Sequence, residues 1–213
     1  MPEISQKNML ATLVLDFKVE PDKIQQLSKI VQINIEEVMS KKPGFVSASL
    51  HESSDGTRFV NYSQWKSRQS YETALSFLTK DEVSLGEKLL ELGDMNWNFY
   101  DIVSSVGKTP SEISSERAFP TGINIITVST ENCKKLIESL TEYANNVLKK
   151  QDGFVSANIH KSLDAKRVIN YVQWKSFDGL TSLFSDGEAQ PYFKSWKEIS
   201  NPAWNLFKVV YTT

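Results

Sequence analysis

Gly44-Phe-Val-Ser-Ala-Ser-Leu-His51 recurs 109 residues later as Gly153-Phe-Val-Ser-Ala-Asn-Ile-His160. At the same offset, Arg58-Phe-Val-Asn-Tyr-Ser-Gln-Trp-Lys-Ser67 recurs as Arg167-Val-Ile-Asn-Tyr-Val-Gln-Trp-Lys-Ser176. Of the 24 positions from Gly44 to Ser67, 15 are identical to their partners and none needs a gap. A repeat of this length means two copies of one folding unit, and it governs the reading of everything around it. Within each copy the two stretches are rich in β-branched and aromatic residues. They are separated by the turn signals Ser54-Asp55-Gly56 and Leu163-Asp164-Ala165, so each pair reads as a hairpin.

Outward from the hairpins the halves stay parallel. Upstream, Ala11 to Val19 and Ile123 to Val128 read as opening strands. Each is followed by apolar residues at three- and four-residue steps: Ile24, Leu27, Val31, Ile35 and Val38 in the first half, and Cys133, Leu136, Leu140, Ala144 and Val147 in the second. That spacing predicts a helix with one buried face, ended by Pro43-Gly44 or Asp152-Gly153. Downstream, helix is predicted over Ser70 to Leu92 and Phe177 to Ile199, and a closing strand begins near Trp97 or Trp204. The order is βαββαβ twice, an α+β chain of two ferredoxin-like repeats. Each sheet has helices on one face only, so two sheets in one chain cover each other as an intramolecular barrel. The expected domains are 1–106 and 119–213, joined by a polar linker over 107–118.

Composition fits this picture. The 213 residues suit two domains of about 100 each. A formal charge of −2 provides no field to recruit nucleic acid or an anionic membrane. No apolar run approaches the roughly 18 residues of a membrane span, and the N-terminus lacks a signal-peptide layout, so a cytoplasmic protein is expected. Cys133 is the only cysteine, which excludes an internal disulfide. Phosphate-binding glycine motifs and the Gly-x-Ser-x-Gly nucleophile elbow are absent from the sequence.

Alternation on the hairpin's second strand separates two faces. One carries Phe59, Asn61, Ser63 and Trp65, matched by Val168, Asn170, Val172 and Trp174; the other carries Arg58, Val60, Tyr62 and Gln64 and their partners. The first face is largely apolar, and an amide buried there costs a few kcal/mol unless protein, water or a ligand pairs with it. An indole four residues along the same strand supplies a flat wall and one N–H donor. Asn61 with Trp65, and Asn170 with Trp174, suit a planar, oxygen-bearing aromatic guest. Against this, a strand asparagine also satisfies itself on loop backbone, and a strand-end tryptophan is ordinarily core. The arginines, tyrosines and glutamines of the second face read as ties between the two sheets. His51 and His160 have no companion ligands in sequence and read as structural.

Asn-Tyr-x-Gln-Trp after a Gly-Phe-Val strand and an Asp-containing turn resembles the antibiotic biosynthesis monooxygenase family of dimeric α/β barrels, here as a tandem fusion. The resemblance implies a cofactor-independent oxidoreductase that converts a small phenolic or polycyclic aromatic to a quinone with dioxygen, using no metal or flavin. Residue by residue it implies catalytic roles for Asn61, Trp65, Asn170 and Trp174, with Tyr71 assisting in the first half where the second has Leu180. Phe59, Ser63, Val168 and Val172 on the same face, with Trp97 and Trp204 on the closing strands, are the expected substrate contacts. A basic residue about twenty positions beyond the tryptophan is replaced by Leu85 in the first half and Lys194 in the second. Other uses of the same cavities are a non-catalytic module for small hydrophobic ligands or stress response, and haem capture or breakdown. The expected state is a monomer with an internal pseudo-dimer, with outer sheet edges open to further association.

Overall fold

The computed structural model describes residues 2–117 and 119–213; Met1 and Ala118, end points of the first domain and of the linker expected above, lie outside them. The first half runs β1 (Glu3–Ile4), β2 (Ala11–Val19), α1 (Ile24–Glu37), β3 (Phe45–Ser53), β4 (Arg58–Trp65), α2 (Arg68–Ser76), α3 (Lys80–Leu92) and β5 (Gly93–Gly107). The second runs β6 (Ser111–Glu112), β7 (Thr121–Val128), α4 (Thr130–Asn146), β8 (Phe154–Ser162), β9 (Arg167–Trp174), α5 (Phe177–Ser182), α6 (Gln190–Ile199) and β10 (Ser200–Thr212).

The predicted α+β duplication is what the chain adopts, with two local differences. The helix expected over Ser70 to Leu92 is two helices, because Thr79 caps α3 by accepting from the Glu82 N–H while the Glu82 carboxylate returns the bond to the Thr79 N–H. Its counterpart also splits, with Pro191 in the first turn of α6. The closing strands begin at Gly93 and Ser200, four residues before the tryptophans that signalled them. Their length has a purpose. From Tyr100 onward β5 pairs with β8 of the other half, through a bulge between Ile102 and Ser104; β10 pairs with β7 and, from Phe207 onward, with β3, through a bulge between Val209 and Tyr211 at the matching place. All pairings are antiparallel, and the order β10-β3-β4-β2-β5-β8-β9-β7 closes into one eight-stranded barrel. The outer strand edges invoked above are consumed in that closure.

Each half of the Asn-Tyr-x-Gln-Trp motif therefore serves a different compartment. Asparagine and tryptophan face the helices; tyrosine and glutamine face the barrel interior. Inside, the Tyr171 hydroxyl meets His51 Nε2 at 2.9 Å and the Tyr62 hydroxyl meets His160 Nε2 at 3.1 Å, each bond joining one half to the other. Arg58 forks onto the Asp16 carboxylate at 2.7 Å and also donates to the Ala203 carbonyl of β10. Arg167, with Ile125 where Asp16 stands in the first half, donates instead to Asn96 Oδ1 of β5.

Gln64 and Gln173 reveal what the polar stretch between the halves does. Gln64 Nε2 donates to the Glu3 carbonyl at 2.9 Å, and Gln173 Nε2 to the Glu112 carbonyl at 2.8 Å, while Ser47 and Ser156 donate to their Oε1 atoms. Strands β1 and β6 pair with each other, and Ile4 and Ile113, both fully buried, plug the barrel core. Glu3-Ile-Ser5 and Glu112-Ile-Ser114 stand at the same offset of 109, so part of the stretch expected as linker is a repeated structural element. Removing a buried isoleucine side chain leaves a cavity and costs about 2–5 kcal/mol. Ile113→Ala is expected to lower the unfolding free energy by about 3 kcal/mol in urea titrations, whereas Met9→Ala, at a side chain 91 % exposed, leaves the midpoint in place.

Candidate active site between sheet and helices

In the second half the sheet forms the floor of a cavity and α4, α5 and α6 form its roof. The cavity encloses about 350 Å³ and is lined by Gly122, Asn124, Asn170, Val172, Trp174, Pro202 and Trp204 from the strands. Tyr143, Leu148, Leu180, Leu183, Phe193 and Trp196 line it from above, with Gln190 and Lys197 at its exposed rim. The aromatic wall is held edge to face: Tyr143 lies 5.1 Å from Trp196 and 5.7 Å from Phe193, and the Trp196 N–H is anchored on Ser139 Oγ at 2.9 Å. Burial pushes the Tyr143 hydroxyl well above the ordinary phenol range, so it stays protonated.

Three polar atoms of this lining are buried without a partner: Asn124 Oδ1, Asn170 Oδ1 and Trp174 Nε1. The two asparagines stand directly opposite each other on β7 and β9, and Trp204 of β10 is opposite Asn124 on its other side. Each such orphan costs about 1–3 kcal/mol.

The first half keeps the motif and packs larger side chains around it. Asn61 Oδ1 and Trp65 Nε1 are likewise buried and unpartnered. Over them, however, Tyr71 packs edge-on against Trp65 at 5.2 Å and against Phe99 at 5.5 Å, and Leu13 and Leu15 complete the cluster. At the repeat offset, Leu13 corresponds to Gly122, Leu15 to Asn124 and Tyr71 to Leu180. Three side chains that occupy space in one half are absent, polar or smaller in the other. The glycine also gives Trp204 room: a Cβ at Gly122 would sit 3.3 Å from the Trp204 Nε1.

Of the residues expected from sequence, Asn170, Val172, Trp174 and Trp204 meet at the cavity. Asn61, Ser63 and Trp65 are buried on the helix-facing side of β4 in the first half, where Tyr71 packs against Trp65. Phe59 and Val168 do not line the cavity; both are fully buried beneath α1 and α4, in the body of each half's core. Trp97 is 54 % exposed and lies at the surface against the edge of Phe99. Lys194 is exposed on α6, and Lys197, one turn further, is the lysine that lines the rim. His51 and His160 are enclosed in the barrel with their ring nitrogens engaged, out of reach of a haem. Asn124 and the roof residues Tyr143, Phe193 and Trp196 were not singled out from sequence. For Asn124 the signal was present, a lone amide in the apolar strand Gly-Ile-Asn-Ile-Ile.

Residues 11–76 match the family profile described as Antibiotic biosynthesis monooxygenase. Over 80 residues the chain is 32 % identical to tetracenomycin-F1 monooxygenase of Streptomyces glaucescens, an alignment covering 38 % of this chain and 71 % of that protein. The chain belongs to the antibiotic biosynthesis monooxygenase family. Among solved structures, an anthrone oxidase-like protein superposes with a TM-score of 0.85 at 18 % identity, covering 100 % of this chain and 96 % of its own. A protein of Fusobacterium nucleatum superposes at 0.65 with 13 % identity, covering 95 % and 93 %. A regulator of staphylococcal pathogenesis does so at 0.54 with 10 % identity, covering 93 % and 98 %. At these identities the likeness is one of fold, and it extends over both halves. Family membership implies a small-molecule substrate for this branch of the fold; among the described residues no helix is long and apolar enough to cross a membrane.

Proposed function

We propose that the second half of this antibiotic biosynthesis monooxygenase homologue is an oxygenase site, which converts a small phenolic aromatic to a quinone with dioxygen. The observation that carries the reading is the cavity itself: about 350 Å³, walled by aromatic rings, with two amide oxygens and an indole N–H buried unpaired in the residues that line it. That volume lies in the roughly 300–1,000 Å³ range of small-molecule sites. The S. glaucescens relative, named as a monooxygenase, supports the class of reaction.

The phenol is its own reductant in this scheme. Loss of its proton gives an electron-rich anion; one electron passes to dioxygen, the two radicals join in a C–O bond, and loss of water from the resulting peroxide leaves a carbonyl. The phenol O–H and one ring C–H give up their hydrogens to one oxygen atom of O2, which leaves as H2O, and the other oxygen becomes the new C=O, so atoms and electrons balance. The chain's task is to orient the ring, hold the oxyanion and keep water out. Asn170 accepts the phenol O–H in the resting complex and, after a half-turn of its terminal amide, donates Nδ2–H to the oxyanion. The Trp174 indole N–H is a second donor, and Tyr143, Phe193 and Trp196 clasp the ring and exclude solvent.

An oxygen electrode tests this directly. With anthrone- or naphthol-type phenols, one O2 is expected to disappear per quinone formed. Gly122→Leu, which installs the residue of the first half, is expected to cut uptake at least 100-fold while the far-UV spectrum stays unchanged. No uptake by the unaltered chain above the Gly122→Leu background, across both substrate types, overturns the proposal.

A further inference from the structure

Adjacent asparagines in an apolar site ordinarily satisfy each other, Nδ2–H to Oδ1. Asn124 and Asn170 are placed to do so, being directly opposed on neighbouring strands, where Cβ atoms stand about 4.5–5.5 Å apart. Yet both Oδ1 atoms are buried and unpartnered, and both residues are 92 % buried, with 8 % of their surface exposed, in the lining of the same cavity. Neither amide donates to its neighbour's oxygen, so the pair keeps two carboxamides side by side in the cavity lining, neither paired with the other. Duplication does not account for the second one. The first half carries Asn61 opposite Leu15, and Asn124 is therefore particular to the half that is open.

We propose that Asn124 is a specificity-determining residue, which with Asn170 selects aromatic guests bearing two hydroxyls meta to each other over guests bearing one. A meta pair directs two hydroxyls in divergent directions, each toward one strand's carboxamide, which pairs with it as donor or acceptor by turning its terminal amide. A single hydroxyl satisfies one amide and leaves the other an orphan, the penalty by which polar sites discriminate most strongly. This inference rests on the oxygenase reading for the location of the site alone.

The test is an anaerobic titration with 1,3-dihydroxynaphthalene and 1-naphthol, followed by quenching of tryptophan fluorescence. The unaltered chain is expected to bind the dihydroxy probe at least 10-fold more tightly. Asn124→Ala is expected to erase that preference by weakening the dihydroxy probe about 10-fold, with 1-naphthol moving less than threefold. Asn124→Leu, the first half's own residue on this strand, is expected to erase the preference too and guards against loss of fold in the alanine variant. Equal affinity of the unaltered chain for the two probes, binding of neither, or an unchanged preference in both variants overturns the proposal. Because oxygen is absent, an intact preference in a chain that consumes no O2 sinks the oxidation reading and leaves the role of Asn124 standing.

Discussion

Asn170→Ala is expected to reduce kcat/KM about 10²–10³-fold, while Asn61→Ala changes it less than twofold. The magnitude is that of removing one preorganised oxyanion donor, about 3–4 kcal/mol of transition-state stabilisation. The contrast comes from what stands above each amide. Over Asn170 lie a cavity and the small lining residues Gly122 and Leu180. Beside Asn61 stands Leu15 on the paired strand, and Leu13, Tyr71 and Phe99 pack with Trp65 in the same cluster. Steady-state oxygen uptake of the two single variants, with thermal melts to verify folding, decides the point. Equal losses would mean that both halves turn over. A large loss from Asn61→Ala with none from Asn170→Ala would reverse the assignment of the working half.

The second large effect is on stability in acid. Burial in the barrel lowers His51 and His160 to about 4 from the ordinary histidine value, against the smaller opposing influence of the Val60 and Ser49 backbone on His51 and of Asn158 and Ile169 on His160. The groups facing them from the other half are the Tyr171 and Tyr62 hydroxyls, which burial keeps protonated. In the unfolded chain both histidines take up protons near pH 6.5; folded, they stay neutral down to about 4. The unfolded state thus binds more protons throughout that window, and stability falls as pH falls across it. Each histidine contributes on the order of 3 kcal/mol at pH 4 relative to neutral pH. Urea midpoints measured from pH 7 to 4 are expected to drop steeply, and the His51→Gln, His160→Gln double variant to flatten the slope even where it lowers the starting value. An unchanged slope in the double variant would place the acid sensitivity elsewhere. Asp55 and Asp164, held low chiefly by the Ser53 and Ser162 hydroxyls, lose their contribution only below the window of the histidines.

Strand β4 was readable because period-two alternation is a direct consequence of the pleat, and because its copy repeats the pattern. Asn61 and Tyr62 had to face opposite compartments once the strand was granted. The same logic covered β2, Ala11–Val19, to the residue. It missed the ribbon of β1 and β6, since a match of three residues, Glu-Ile-Ser, carries little weight until Gln64 and Gln173 are seen reaching for the same carbonyls. The difference between the halves was also hidden. Tyr71 against Leu180 hinted at it, but the decisive exchanges, Leu13 for Gly122 and Leu15 for Asn124, lie outside the matched stretch. The volume of a hollow is a sum over three strands and three helices, which no single strand's pattern contains. Trp97 and Trp204 illustrate this: matched in strand register, opposite Leu15 and Asn124, they differ in service because the second has Gly122 beside it and lines the cavity.

Covalent fusion of the two halves has an evolutionary corollary. In a dimer of identical short chains, any mutation that fills one hollow fills both, and activity is lost with it. Here β5 completes the far half's wall and β10 returns the favour, so neither copy can be discarded, yet each can mutate independently. One copy is free to drift toward pure scaffolding while its twin is held by selection on chemistry, a division of labour that a symmetric ancestor had no means to reach.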